Sequence, residues 1–378
     1  MEYLRVGDCF DIIKGKKVEQ LNEESENSIR YIQIDDLRND NNIKYCLPDE
    51  KYVIAKKNDI IIAWDGANAG TIGYGLEGAI GSTLAILRWT LEDKVCTSYV
   101  GRFLQSKSKY LRYKCTGATI PHVSKESLEN ILIPVPDLQT QHKIVQVLDK
   151  AQSLIDKRKE QIKQCDELIQ SLFYDMFGDP GINSKGFKVA QISDLVDHNI
   201  KKVSKVYEEE DTIKYIDISS IDNETNKITN YSIYKVKDAP SRAQQCLCKG
   251  DIIISTVRPN LKNVAMVLSE DEDLVGSSGF CVLRSNKINN QYLFRYVLSE
   301  YFTKKLTSMT TGANYPAIKK NDVLEQTILL PPLELQNQFA EKVQKIEKQK
   351  QLLQQSLSLL EDNFNSLMQK AFKGELFQ

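Results

Sequence analysis

IVQVLDKAQSLIDKRKEQIKQCDELIQSLFYDM, residues 144–176, carries a stripe whose steps alternate between four and three: Ile144, Leu148, Ala151, Ile155, Arg158, Ile162, Cys165, Ile169, Leu172, Met176. That period marks an α-helix that lays one narrow face against a partner helix. Adding 195 to each number yields a second stripe: Phe339, Val343, Ile346, Lys350, Leu353, Leu357, Leu360, Phe364, Leu367, Ala371. Eighteen of the twenty positions are apolar or Ala/Cys, and each stripe holds one long cation, Arg158 or Lys350. Lys, Gln, Glu and Asp flank both stripes, so neither helix is buried all round. Two independent dimerisation helices would account for each stripe alone. The shared register instead predicts that the two helices of one chain pack on each other.

At 378 residues the chain is long enough for two domains, each with its own core. A formal net charge of −1 means that any nucleic-acid surface must be a local patch. With Gly 18 and Pro 10, long disordered linkers are not expected. No signal pattern opens the chain and no apolar run approaches membrane-span length. The eight Cys are scattered, with Cys246 and Cys248 the only close pair, and there are three His. That spacing is not a zinc ribbon, so reduced thiols in a cytoplasmic protein and no metal are expected.

The repeat extends beyond the helices. The apolar opening Leu4 to Phe10 matches Val189 to Val196, and the strand-like run Tyr31 to Leu37 matches Tyr215 to Ile221. Lys57-Asn58-Asp59-Ile60-Ile61-Ile62 is echoed by Lys249-Gly250-Asp251-Ile252-Ile253-Ile254, which predicts a strand buried on both faces. Polar loops follow, Asp65 to Gly70 and Arg258 to Asn263, then Gly81-Ser82 or Gly276-Ser277 and a strand ending in Leu87-Arg88 or Leu283-Arg284. Next come amphipathic helices over 97–114 and 290–308, and the loops Thr116 to His122 and Thr311 to Ala317. Pro136-Asp137-Leu138-Gln139-Thr140-Gln141 and Pro331-Pro332-Leu333-Glu334-Leu335-Gln336 open the long helices. Gly178-Asp179-Pro180-Gly181 ends the first of them. The offset between halves grows from about 184 to 195, so the copies differ by loop insertions. The expected architecture is two α/β (α+β) globular domains alternating with two long helices that form an intramolecular antiparallel coiled coil, with pseudo-two-fold symmetry.

Catalytic signatures are missing. No phosphate-loop pattern occurs, and Asn314-Tyr315-Pro316-Ala317 shares letters with an amino-methyltransferase loop in the wrong order and without a cofactor fingerprint. Pro48-Asp49-Glu50-Lys51 reads as a turn, and none of His122, His142 and His198 recurs in the other half. Basic runs are present instead. Lys94, Arg102, Lys107, Lys109, Arg112, Lys114 and Lys125 stand in one acid-free stretch, interleaved with Tyr99, Tyr110 and Tyr113. Arg284, Lys287, Arg295, Lys304, Lys305, Lys319 and Lys320 occupy the matching stretch, with Glu300 as its one acid. Phosphate neutralisation is the physical use of such a patch, and a solvated helix face is the bland alternative. Hydroxyls and backbone N–H groups of the Thr-Gly loops suit phosphates, while Arg and Asn can pair with base edges. The candidate DNA contacts are therefore Asn68, Lys109, Arg112, Lys114, Thr116, Arg242, Arg258, Asn260, Lys262, Lys304, Lys305, Asn314 and Tyr315.

Taken in order and twice over, these marks resemble the DNA-specificity subunit of a type I restriction–modification enzyme. The residues that carry the likeness are 249–254 with their variant at 57–62, the Thr-Gly loops, and the Pro-x-Leu-x-x-Gln helix starts. Ser171 to Pro180 and the closing Ala371 to Leu376 complete the set. The resemblance implies target-recognition domains over 1–137 and 179–332, and conserved long helices over 138–178 and 333–378. It implies a non-catalytic chain with no cofactor of its own, reading a bipartite, asymmetric site in double-stranded DNA. Two adenine methyltransferase subunits would dock on it and bring S-adenosylmethionine, and restriction/translocase subunits would join for cleavage. An adaptor with two protein-binding domains and an intrinsic nucleotide-modifying enzyme are the competing classes. The basic runs beside Thr-Gly loops disfavour the first, and the missing cofactor loop disfavours the second.

Two diverged copies suit a target with two different halves, as a symmetric dimer suits a palindrome. A helix of about 33 residues is roughly 50 Å long, enough to hold two readers about one DNA turn apart. Asp156 and Gln351, 195 residues apart, are expected at matching levels of the helix pair.

Overall fold

A computed structural model describes residues 2–90, 95–117, 119–197, 200–312 and 316–377. The chain forms two compact units, Met1–Lys159 with Gln355–Gln378, and Glu160–Gln354. Each contains one globular part and portions of both long helices, Leu138–Phe177 and Leu333–Lys373.

In the first unit, Glu2–Arg5 pairs antiparallel with Leu132–Val135. One four-stranded sheet runs in the order Lys44–Cys46, Ile29–Ile32, Gly78–Ile80, Ile54–Ala55, and its central pair is parallel. The other runs Phe10–Lys14, Leu84–Trp89, Ile60–Ala63, Ile72–Tyr74. The second unit repeats this plan. Lys188–Gln191 pairs with Thr327–Leu330, and a sheet runs Ser232–Lys235, Thr212–Ile216, Leu274–Ser277, Ala243–Cys246, with Thr212–Ile216 and Leu274–Ser277 parallel. Its third sheet is Val264–Met266, Ile252–Ser255, Phe280–Leu283. The counterpart of Phe10–Lys14 shrinks to one bridge, Asp197 to Arg284, at the place of the Asp11–Arg88 pair.

The repeated sequence marks have physical causes here. Ile60–Ala63 and Ile252–Ser255 are buried at every residue, as a β-branched run predicts. The Asp before each strand is buried and accepts two hydrogen bonds from the Arg that ends the neighbouring strand. Arg88 reaches Asp59 at 2.6 and 3.1 Å, and Arg284 reaches Asp251 at 2.7 Å through both nitrogens. Each Arg also donates to a carbonyl, of Ile54 or Cys246. The hydrogen-bonded carboxylates hold both guanidinium groups above their ordinary range. Two expectations need correcting. The runs at Tyr31 and Tyr215 are strands only as far as Ile32 and Ile216, and continue as 3-10 turns at Asp35–Leu37 and Ile218–Ser220. In the second of these, Asp217 accepts from Ser219 and caps the turn, which competes with strand pairing. The expected single helices are each two, Thr97–Ser106 with Ser108–Tyr113, and Asn290–Val297 with Glu300–Ser308. Ser299 breaks the latter by capping the N–H of Phe302.

Buried glutamines explain the helix starts. Gln141 accepts from the Cys96 N–H at 2.8 Å and donates to the Pro136 carbonyl, while Gln336 accepts from Asn289 and donates to Pro331. The long helix is thereby pinned to the start of the helix pair in its own globular part. Tyr99 and Tyr292 repeat the device from the other side, donating to the carbonyls of Pro134 and Leu329, each at 2.8 Å.

None of the twenty stripe positions is exposed. Leu154, Leu168, Leu352 and Leu359, each one residue before a stripe position, are 51–64% exposed. Within the first unit, Ile144 and Leu148 share a core with Met368 and Ala371, partly covered by Phe364 and Leu367, and Lys159 pairs with Glu361 at 3.2 Å. Within the second, Ile169, Phe173 and Phe177 pack with Phe339 and Val343, Leu172 and Ile346 cover them, and Lys350 is neutralised by Asp166. In both, low numbers of one helix meet high numbers of the other, so the helices run antiparallel. Ile155 is buried, while Ile162, Leu353, Leu357 and Leu360 are half-buried. The antiparallel register corrects one expectation: Gln351 lies at the level of Cys165, next to the Asp166–Lys350 pair, and the level of Asp156 falls near Leu360 to Phe364. Residues 195 apart are equivalent in the repeat, not opposite in the pair.

No helix among the described residues is long and apolar enough to cross a membrane. Phe339→Ala should lower unfolding free energy by about 3–5 kcal/mol, because the ring is fully buried among aromatic neighbours. Leu352→Ala, on the exposed flank, should change it by less than about 0.5 kcal/mol. Urea denaturation compares them; equal losses would mean that the stripe is not the packing face.

Candidate nucleic-acid interface

In the first unit the buried strand Ile60–Ala63 delivers the chain into a tight loop. Gly66 and Gly70 adopt left-handed conformations, with φ of 95° and 86°. Ala69 donates to the carbonyl of Gly66 and Thr71 to that of Asn68. Gly70 lies close to the next helix: a Cβ there would meet Ser108 O and Arg112 N at 3.2 and 3.3 Å, tighter than an ordinary contact. The loop thus sits directly on the helix Ser108–Tyr113, from which Lys109 and Arg112 project with Tyr110 and Tyr113, followed by Lys114; all are exposed. A second loop is closed by Thr116 and His122, which exchange backbone hydrogen bonds of 2.9 and 2.7 Å. Gly117 turns it at φ 98°, and Thr116 lies exposed at its neck. Backbone bonds from Gly66 to Pro121 and from Val123 to Trp64 tie the two loops together.

The second unit builds the same pair with the same closing bonds. Thr311 and Ala317 exchange backbone bonds, Arg258 donates to Pro316, Ile318 donates to Thr256, and Leu261 donates to Arg258. Arg258 therefore stands where Gly66 stands, Asn260 where Asn68 stands, and Lys262 where Gly70 stands. Arg258 and Lys262 keep the left-handed conformation, at φ 50° and 51°. A left-handed residue with a Cβ costs roughly 1–2 kcal/mol, and glycine avoids that cost. Two basic side chains are thus held where glycine would be easier, and such strain points to use rather than to packing. Asn223 and Asn226 brace the loop by donating to the carbonyls of Leu261 and Lys262. Arg242, exposed, joins the same end: its carbonyl accepts from Ser278, and Gly279 next to it accepts from Thr256.

The structure thins the basic runs. Arg102 and its counterpart Arg295 reach back to acids on the long helices, Asp149 at 2.6 Å and Glu347 at 3.1 Å. Burial pulls Arg295 below its ordinary range. Arg284 is the buried strand clasp, Lys287 donates to the Asp194 carbonyl, and Lys320 is drawn down by burial and donates to Gln245. Lys125 pairs with Glu129, Lys305 leans on Thr327 at 3.5 Å, and Lys262 is held by Glu300. Of the described residues of these runs, Lys109, Arg112, Lys114, Lys304 and Lys319 remain exposed and form no salt bridge, although Lys304 acts on Glu300 from a distance. Lys94, Asn314, Tyr315 and His198 lie outside the described residues. Sequence reasoning missed Arg38, whose guanidinium donates to Asn68 Oδ1 at 2.6 Å and orients its amide. Thirty residues separate them, and no local pattern marks the contact. It also missed a contact between the loops, His122 with Asp65 at 2.6 Å.

Replacing Arg258 and Lys262 together by Gly should leave the melting temperature unchanged or raised, since strain is removed. The same variant should bind DNA with less discrimination between sequences. A lowered melting temperature would show that these side chains serve packing.

The sequence profile described as "Type I restriction modification DNA specificity domain" matches residues 1–164 and 184–362. The type I restriction enzyme MjaVIII specificity subunit of Methanocaldococcus jannaschii is 28% identical over 395 residues, which span 99% of this chain and 92% of that one. Two solved structures share the fold across nearly the whole chain. One comes from work on complex assembly and conformational transition of a type I restriction–modification system, with TM-score 0.60, 18% identity, and 99% and 98% of the two chains covered. The other is the type I S subunit from M. genitalium, with TM-score 0.56, 15% identity, and 98% and 96% covered. The duplicated plan and the profile that matches both halves place this chain in the family of type I restriction–modification DNA-specificity subunits.

Proposed function

We propose that the chain reads double-stranded DNA as a bipartite, asymmetric target, one half-site per unit, and scaffolds two methyltransferase subunits. Family membership makes it the non-catalytic specificity component. The observation that carries the split-target reading is the loop pair, closed twice by matching backbone bonds and bearing different side chains: Gly66, Gly70 and His122 against Arg258, Lys262 and Ala317. One backbone frame with two chemistries is what two different half-sites require. The methyltransferase subunits would supply S-adenosylmethionine, and restriction/translocase subunits would join for cleavage. The exposed cations Lys109, Arg112, Lys114 and Lys304 fit phosphate oxygens, and the loop residues Asn68, Thr116, Arg242, Arg258, Asn260 and Lys262 fit base edges and the backbone near them.

Sequencing the methylated adenines of the host genome tests the reading: it predicts one motif of two unlike halves separated by an unspecified spacer. A palindromic or unsplit motif would sink it. Changing Lys109, Arg112 and Lys114 to Ala should weaken the assembled complex on all sequences and flatten the salt dependence by up to about one unit of slope per lost contact. An unchanged slope would remove these residues from the phosphate contacts. Lengthening both long helices by four residues at one level, after Asp156 and after Asp362, adds about 6 Å of helix to each. The motif from such a strain should keep both halves and gain roughly one to two base pairs of spacer; an unchanged spacer would mean that the helices do not set it.

A further inference from the structure

His122 and Asp65 form a side-chain pair that the loop frame does not need. His122 Nδ1 and Asp65 Oδ1 are 2.6 Å apart, and Lys14 approaches the other carboxylate oxygen at 3.6 Å while lying 5.3 Å from the Trp64 ring centre. A staple for the two loops is the plain explanation, and the second unit argues against it. There Val257 and Ala317 occupy the same two positions, opposite each other in the same isolated bridge, and the loops close through the same backbone bonds. The frame therefore stands without the pair. Gly117 leaves room beside the ring: a Cβ built there would lie 3.0 Å from His122 Cδ2. With Nδ1 engaged by Asp65, Nε2 is the ring nitrogen left for another partner, and the side chain is 47% exposed. A carboxylate partner is an acceptor, so it selects the tautomer with the proton on Nδ1, and in that tautomer Nε2 is an acceptor.

We propose that His122, positioned by Asp65, is a specificity-determining residue of the first half-site, accepting a hydrogen bond through Nε2 from an exocyclic base amine, adenine N6 or cytosine N4. The inference rests on the functional reading above. Those amines are the major-groove donors of the two bases, and a ring already held by its carboxylate partner loses little freedom on binding them. Asp65 touches no base here; it sets the tautomer and the angle of the ring. The second unit, with Ala317 at this place, reads its half-site by other means.

The test uses the specificity subunit assembled with its methyltransferase subunits, and duplexes of the decoded target. In the first half-site, each adenine is replaced in turn by purine and each cytosine by 2-pyrimidinone, which removes the amine alone. For the wild-type complex, one such replacement should weaken binding by roughly tenfold. His122→Ala should weaken the intact target by a similar factor, yet lose nothing further on that one modified duplex, with an unchanged salt slope and an unchanged response to second half-site changes. Asp65→Asn, which keeps the size of the side chain but no longer dictates the tautomer, should give a smaller loss at the same base pair. Thermal melting of His122→Ala should match the wild type, since the loop frame stands without the ring. Additive losses at every amine, uniform weakening on all sequences with a flatter salt slope, or a lowered melting temperature would each overturn the inference. So would selective wild-type binding that His122→Ala leaves untouched. A wild-type complex with no sequence selectivity would instead overturn the functional reading, and this inference with it.

Discussion

The structure depends on a shared core: the stripe of each long helix is not only a helix–helix seam but also part of the globular interior. In the second unit Phe177 and Phe339 meet at 5.2 Å between ring centres, and Phe177 meets Tyr292 of the globular part at 4.6 Å. In the first, Phe372 lies 5.2 Å from Phe103 and 5.5 Å from Tyr99. Helix and sheet elements therefore cannot be separated without opening the same apolar cluster. The buried amides of Gln141 and Gln336 add direction to this packing, since each ties a helix start to backbone groups that would otherwise be unpaired.

On that core the protein keeps one frame and varies its surface. The Arg88–Asp59 and Arg284–Asp251 clasps, the tyrosine bonds to Pro134 and Leu329, and the closed loops at 116–122 and 311–317 recur with nearly the same distances. In the clasps and the tyrosine bonds one partner is fully buried, Asp59, Asp251, Tyr99 or Tyr292, so losing the other leaves a buried polar atom unpaired. The loop tips obey a different rule. Gly66 and Gly70 take the left-handed conformation without cost, whereas Arg258 and Lys262 hold it against sterics. The same backbone path is thus bare in one unit and cationic in the other. That combination is what a reader of two unlike half-sites needs from a duplicated chain.

The basic runs illustrate how charge is divided between scaffold and surface. Arg102 and Arg295 bridge to acids on the long helices, and Arg284 is consumed by a buried carboxylate. What is left for a polyanion is smaller than the linear count: Lys109, Arg112 and Lys114 in the first unit, Lys304 and Lys319 in the second. A chain of formal charge −1 can bind DNA only if its free cations are gathered in this way.

The sequence alone determined the duplication, the two long helices with their packing face, the buried Ile runs and the helix starts. Each of these is a periodic or local property: a 3.5-residue stripe, a β-branched run, a proline before a capped turn. The family was legible for the same reason, since its marks recur in order within both halves. Only the tertiary structure decided which residues share a site. Arg38 with Asn68, Asp65 with His122, and Arg258 in the place of Gly66 join segments far apart in the chain, and no period connects them. It also decided the level at which the long helices meet. A repeat offset of 195 relates equivalent residues, but contact in an antiparallel pair depends on the sum of positions, and that sum is set by packing and by the Asp166–Lys350 pair.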